Sequence, residues 1–90
     1  MEIRSILCCC GSGLGSSMLV RMNVDKILKK LEIEGVSVAN SSISDAVEGA
    51  ADLFVIGKDL ASFASNLPKV IVLDNLMDLD ELETKLKAYL

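Results

Sequence analysis

The sequence predicts an α/β domain built on a four-stranded parallel sheet with helices on both faces. Two observations carry that expectation: short continuous apolar runs recur along the chain, and stretches of helical spacing lie between them. Strands that are apolar without alternation are covered on both faces, and their regular exchange with helices implies right-handed crossovers in a parallel sheet. Length bounds the number of domains. A chain of 90 residues has room for one core and none for a separate substrate domain, so residues 1–90 form a single unit, without internal repeat or linker.

Taken in order, Ile3 to Cys9 is the first strand. Gly11, Ser12, Gly13, Leu14 and Gly15 break the pattern, and Ser16 and Ser17 offer side-chain oxygens to the first amides of a helix. In that helix Val20, Val24, Ile27, Leu28 and Leu31 recur at helical spacing to about Glu32. Gly35 follows it, and Val36 and Val38 alternate with Ser37 in a second strand ending near Asn40. Ser44 is placed to cap a short helix through Ala46 and Val47 that stops near Gly49. Leu53 to Ile56 is the third strand, followed by a turn at Gly57, Lys58 and Asp59 and a brief helix over Leu60 to Ala64, before Pro68. Val70 to Leu73 is the fourth strand. The closing helix begins at Asp78, with Glu81 three positions on as a weak capping box and Leu79, Leu82, Leu86 and Tyr89 as its apolar stripe.

Composition removes several classes of function. A formal charge of −4, with the Lys and Arg residues scattered, provides no basic stripe for nucleic acid. No apolar run approaches the roughly 20 residues of a bilayer-spanning helix, and no signal peptide precedes the first strand, so no membrane insertion is expected. Cys8, Cys9 and Cys10 are adjacent, which suits a reducing compartment and a cytoplasmic location rather than a disulfide framework. With no His and no CxxC, neither a metal site nor His-based acid/base catalysis is expected, and nothing calls for a cofactor.

The chemistry concentrates at Cys10. In open α/β sheets ligands bind beyond the carboxyl ends of the strands, and there the first strand meets the glycine-rich turn. Amides of Gly11, Ser12, Gly13, Leu14, Gly15, Ser16 and Ser17 can turn inward around an anion, aided by the helix dipole. The same amides favour a thiolate, so Cys10 can attack phosphorus, and the cradle then holds the oxygens of the product. Cys8 and Cys9, inside the strand, read as small apolar core residues.

Rival readings fit the residues less well. Ser16 stands where a GxGxxG fingerprint needs its third glycine, Asn40 and Ser41 replace the acidic residue that would hold a ribose, and no GxxxxGK[ST] occurs. A cysteine phosphatase places an Arg six positions after its Cys, which here is Ser16, and the single proline, Pro68, follows Leu67 rather than an Asp. A phosphatase-like hydrolase and a non-catalytic anion-binding regulatory module therefore stand as the alternatives to a phosphoryl carrier.

From Cys10 to Met18 the chain reads CGSGLGSSM, and this stretch resembles the IIB component of the bacterial sugar phosphotransferase system (PTS), lactose/ascorbate class, in its ascorbate-type pattern. The likeness continues from Leu19 through Asn23, Val24 and Asp25 to Leu28, and the βα order extends it over the chain as an EIIB type-2-like domain. The fold this resemblance implies is Rossmann-like and flavodoxin-like, similar to low-molecular-weight tyrosine phosphatases. It also implies that Cys10 takes a phosphoryl group from the phosphohistidine of a IIA protein and passes it to a sugar on the membrane IIC component. Residues Gly11 to Ser17 then form the family's phosphate loop, and motif likeness points to L-ascorbate as the sugar. Two points stay open on the residues alone. Met18 and Met22 either pack within the helix or present an adaptable surface to a partner. Arg21 and Lys58 either attract the phosphorylated partner or are solvated charges.

Overall fold

In the computed structural model of the protein, residues 3–10, 16–64, 67 and 69–90 are described. Their order is β1 (Ser5–Cys10), α1 (Ser16–Lys30), β2 (Ser37–Ser42), a 3₁₀ helix (Ile43–Asp45), β3 (Leu53–Gly57), a second 3₁₀ helix (Lys58–Ala64), β4 (Val70–Leu73) and α2 (Leu79–Lys87). The four strands form one parallel sheet in the order β2-β1-β3-β4.

Helices cover both faces, but unequally. Side chains at Ile6, Cys8, Leu53, Val55, Ile71 and Leu73 point to one face, where they meet Val20, Val24, Ile27 and Leu28 of α1 and Leu82 and Leu86 of α2. The intervening residues Cys9, Phe54 and Ile56 point to the other, which is closed by Ala46, Ile43 and Leu67 from the 3₁₀ segments and loops. The period of two along each strand therefore builds two cores, the larger beneath the α-helices. No helix among the described residues is long and apolar enough to cross a membrane.

Several element boundaries differ from expectation, each for a local reason. β1 starts at Ser5 and ends on Cys10, which is thus the last strand residue and not the first of the turn. Asp52 fixes the entry to β1: its carboxylate accepts from the amides of Arg4 and Ser5 at 2.9 and 3.2 Å, and its own amide donates to the Ser5 hydroxyl. β2 runs two residues beyond Asn40, pairing Ser41 with Cys9 and Ser42 with Cys10. A sheet edge tolerates such polar residues, which is why their composition did not read as strand. The helix expected from Ser44 is one 3₁₀ turn starting at Ile43, in which the hydroxyls of Ser42 and Ser44 bond each other at 2.7 Å instead of capping.

α1 stops at Lys30, short of Glu32, through a left-handed closure. Ile33 N donates to Leu28 O and Glu32 N to Lys29 O, the paired bonds of a Schellman motif, with Glu32 at φ 58°. Ile33 and Leu28 join the same core cluster, completing the motif's apolar contact. A side chain in that seat costs about 1–2 kcal/mol, which glycine would not incur. Glu32→Gly is therefore expected to stabilise the protein by about 1 kcal/mol, raising the thermal midpoint by about 4–8 °C. A midpoint equal to or below wild type would refute this.

At α2, Asp78 caps as expected, accepting from Glu81 N at 3.0 Å. Glu81 does not complete the box. Its carboxylate instead accepts from the amides of Asp74 (2.7 Å) and Asn75 (3.0 Å), beyond β4, and from Lys85 Nζ (2.7 Å), which also donates to Val72 O at 2.6 Å. Leu79 is exposed rather than in the stripe, and Leu76 joins the core from this end of the helix. The Lys85 bond, followed by the two amides, lowers the Glu81 pKa from 4.5 to about 2. A depressed carboxylate contributes stability above its unfolded pKa that is lost as pH falls through the folded one. Urea midpoints should accordingly fall between about pH 4.5 and 2, and Glu81→Gln should flatten that fall. An equally steep fall in the variant would remove Glu81 as a cause.

Candidate functional site

The chain leaves β1 and β3 in opposite directions. From β1 it crosses by α1 to β2 on one edge, and from β3 by the second 3₁₀ helix to β4 on the other. The carboxyl ends of β1 and β3 thus flank the topological switch point, the place where open α/β sheets form a ligand crevice. Cys10 is the last residue of β1, 6% exposed and opposite Ser42 in register. α1 begins at Ser16 and packs on β1 and β2, so its amino end lies beside the end of the strand that precedes it.

Gly11, Ser12, Gly13, Leu14 and Gly15, expected to cradle an anion, lie outside the described residues. Ser16 opens α1, and Ser17 in the first turn is 2% exposed with its hydroxyl lacking any partner. One turn further, Arg21 donates from Nη1 to Asn40 Oδ1 at 3.2 Å, while its Nε is buried without an acceptor. Asn40 lies opposite Cys8. Lys58, by contrast, is exposed at the start of the second 3₁₀ helix.

The three thiols occupy different environments. Burial pushes the Cys8 thiol up to about 12, Cys9 and Asp25 adding to the shift and Arg21 opposing it. Burial, then Asp45 and Cys10, pushes the Cys9 thiol up to about 11. Both stay protonated at neutral pH and fill opposite cores, so neither is a nucleophile. Asp45, which receives a hydrogen bond from the Ser41 hydroxyl, was not singled out in the sequence; neither was Asn40 as a partner for Arg21. Both lie on or just after the polar end of β2, and that unusual polarity of a strand was the available signal.

Met18 and Met22 are 45% and 49% exposed, which decides against ordinary core packing, and Leu19 beside them is equally open. All three lie in the first two turns of α1. A hollow of about 570 Å³, lined by Ile3, Arg4, Glu34, Val36 and Tyr89, lies at the amino ends of the strands, away from Cys10. Among the described residues no group of three His, Cys, Asp or Glu converges as a metal centre would require.

Known proteins match almost the whole chain. The ascorbate-specific PTS system EIIB component of Mycoplasma pneumoniae is 33% identical, the alignment covering 94% of this chain and 93% of that protein. The family described as PTS system, lactose/cellobiose-specific IIB subunit, matches residues 5–88, from the start of β1 to just past the end of α2. On both counts the chain belongs to the PTS IIB family.

Proposed function

We propose that this IIB protein carries a phosphoryl group on the sulfur of Cys10, taking it from a phosphohistidine of a IIA protein and delivering it to a sugar on a membrane IIC component. IIB components work alongside IIA and IIC in the phosphotransferase system. The placement of Cys10 supports this reading most: the residue ends β1 at the switch point, and the 15-residue helix α1 begins six positions on. Cys8 and Cys9 are held protonated in the cores, leaving Cys10 as the cysteine suited to the task.

In the first transfer the Cys10 thiolate attacks phosphorus in line with the scissile P–N bond. The S–P bond forms, the electron pair of the P–N bond returns to the imidazole, and the imidazole regains the proton the thiol gave up. In the second, a sugar hydroxyl oxygen attacks phosphorus, the S–P pair returns to sulfur, and the hydroxyl proton is released. Both steps rest on positioning and charge stabilisation, so the chain's lack of His is no obstacle. Ser16, where a phosphatase would carry its arginine, fits a carrier that retains its cargo. We take L-ascorbate as the sugar, on the motif from Cys10 to Met18 and the named specificity of the Mycoplasma relative, and the cytoplasm as the site of action.

Intact mass spectrometry tests this reading. After incubation with phosphoenolpyruvate, the general phosphotransfer proteins and a IIA protein of an ascorbate system, the chain should gain one phosphoryl group of about 80 Da. Fragmentation should place the group on Cys10. A group on another residue, or steady hydrolysis of aryl phosphate without an adduct, would overturn the proposal.

A further inference from the structure

Two buried side-chain polar atoms among the described residues lack a hydrogen-bond partner, Ser17 Oγ and Arg21 Nε. They are four residues apart on α1, and so on one face of it. That they coincide in the first two turns of α1, the helix that follows β1, needs a cause. A buried donor without an acceptor costs about 1–3 kcal/mol, more when charged, and such groups mark sites that complete their bonding with a ligand.

We infer that Arg21 is the phosphate-recognising cation of this protein: its Nε–H, together with the Ser17 hydroxyl, takes as acceptors the oxygens of the phosphoryl group on Cys10. The inference rests on the phosphocysteine reading above and deepens it. Side chains of an α-helix lean toward its amino end, which for α1 is the end nearest the carboxyl end of β1, so that lean favours an approach to Cys10 by Arg21. Its position across the sheet is set by Asn40, which binds Nη1 at 3.2 Å from the strand position opposite Cys8. Arg21 is close enough to act electrostatically on the Cys8 sulfur, and Cys10 lies two residues further on the same face of β1, about 6.7 Å along the strand.

The guanidinium is planar, so a bond at Nη1 also fixes the direction of Nε–H. Nε–H is thereby a preset donor for the anion, offered from the helix and not from a loop arginine at position 16. Arg21 thus supplies from the helix the positive charge that the phosphate loop itself lacks, since Gly11 to Ser17 include no Lys or Arg. The partner's imidazole would be exchanged for a cysteine whose three phosphoryl oxygens meet helix amides, a hydroxyl and one arginine N–H.

The test compares wild type, Arg21→Gln, Arg21→Lys and Cys10→Ser, each full length, with phosphorylated IIA protein as donor. Phosphorylation of Cys10 is expected to slow about 10- to 100-fold in Arg21→Gln, the range of one charge-assisted hydrogen bond, with only partial recovery in Arg21→Lys. The ¹H–¹⁵N resonance of Arg21 Nε should move downfield when wild type is phosphorylated and stay in place in Cys10→Ser. An unmoved resonance in phosphorylated wild type overturns the inference, even where Arg21→Gln is slow or melts at lower temperature, because loss of the Asn40 bond alone explains those effects. Wild-type rates in Arg21→Gln overturn it as well. Failure of wild type itself to accept a phosphoryl group would overturn the carrier reading, and this inference with it.

Discussion

The Cys10→Ser protein is expected to fold and to accept no phosphoryl group, with transfer from IIA falling by more than about 10³-fold. The geometry changes little, because serine keeps the side-chain shape at a position that is 6% exposed on the last residue of β1. The chemistry changes greatly. A hydroxyl needs a base to become a nucleophile near neutral pH, and the chain has no histidine to provide one. Cys8→Ala and Cys9→Ala make the comparison informative. Each removes one sulfur from a core, costs about 1–2 kcal/mol of stability and should leave transfer intact. Intact mass after exposure to phosphorylated IIA measures all three. Phosphorylation of Cys10→Ser, or its loss in Cys8→Ala while that protein remains folded, would move the carrier function off Cys10.

Much of this arrangement was legible in the residues because burial on two faces leaves a plain mark. Leu53 to Ile56 and Val70 to Leu73 are strands in the structure, with Gly57 added to the former. The break at Gly11 and the apolar spacing from Val20 to Leu28 likewise located the end of β1 and the buried side of α1. What could not be read depends on contacts between distant segments. Nothing in the string Asn40, Ser41, Ser42 says that it pairs with Cys8, Cys9 and Cys10, since the pairing comes from the neighbouring strand. Glu81 obeys the spacing of a capping box, yet the free amides of Asp74 and Asn75 take its carboxylate first. Glu32 accepts a left-handed conformation because closure at Ile33 and Leu28 outweighs the local cost. At the candidate site, Cys10 stands out in the sequence by its place between strand and turn, whereas Arg21 and Lys58 read alike as candidate cations until the bond from Arg21 to Asn40 and the exposure of Lys58 separate them.

Phe54→Ala should have the largest effect on stability, about 3–5 kcal/mol, because it empties the centre of the thinner core. Phe54 is fully buried on β3, in the cluster with Cys9, Ile56 and Ala46, and among the described residues that face is covered by loops and 3₁₀ turns. Those elements have few internal hydrogen bonds to hold them once the ring is gone. A domain of this length has a total stability of about 5–13 kcal/mol, so the loss consumes a large share of it. The damage reaches the site through register: Leu7 pairs with Phe54, and Cys8 with Val55, so β1 is aligned on β3 just before it delivers Cys10 to the switch point. Urea unfolding should therefore show a midpoint far below wild type, and phosphoryl acceptance should decline with the folded fraction. Phe54→Leu fills most of the volume and should recover both, at a cost of about 1–1.5 kcal/mol. Full transfer by a largely unfolded Phe54→Ala protein would mean that the helix end and Cys10 assemble without the sheet beneath them, and that the 3₁₀-covered core has no part in presenting the thiol.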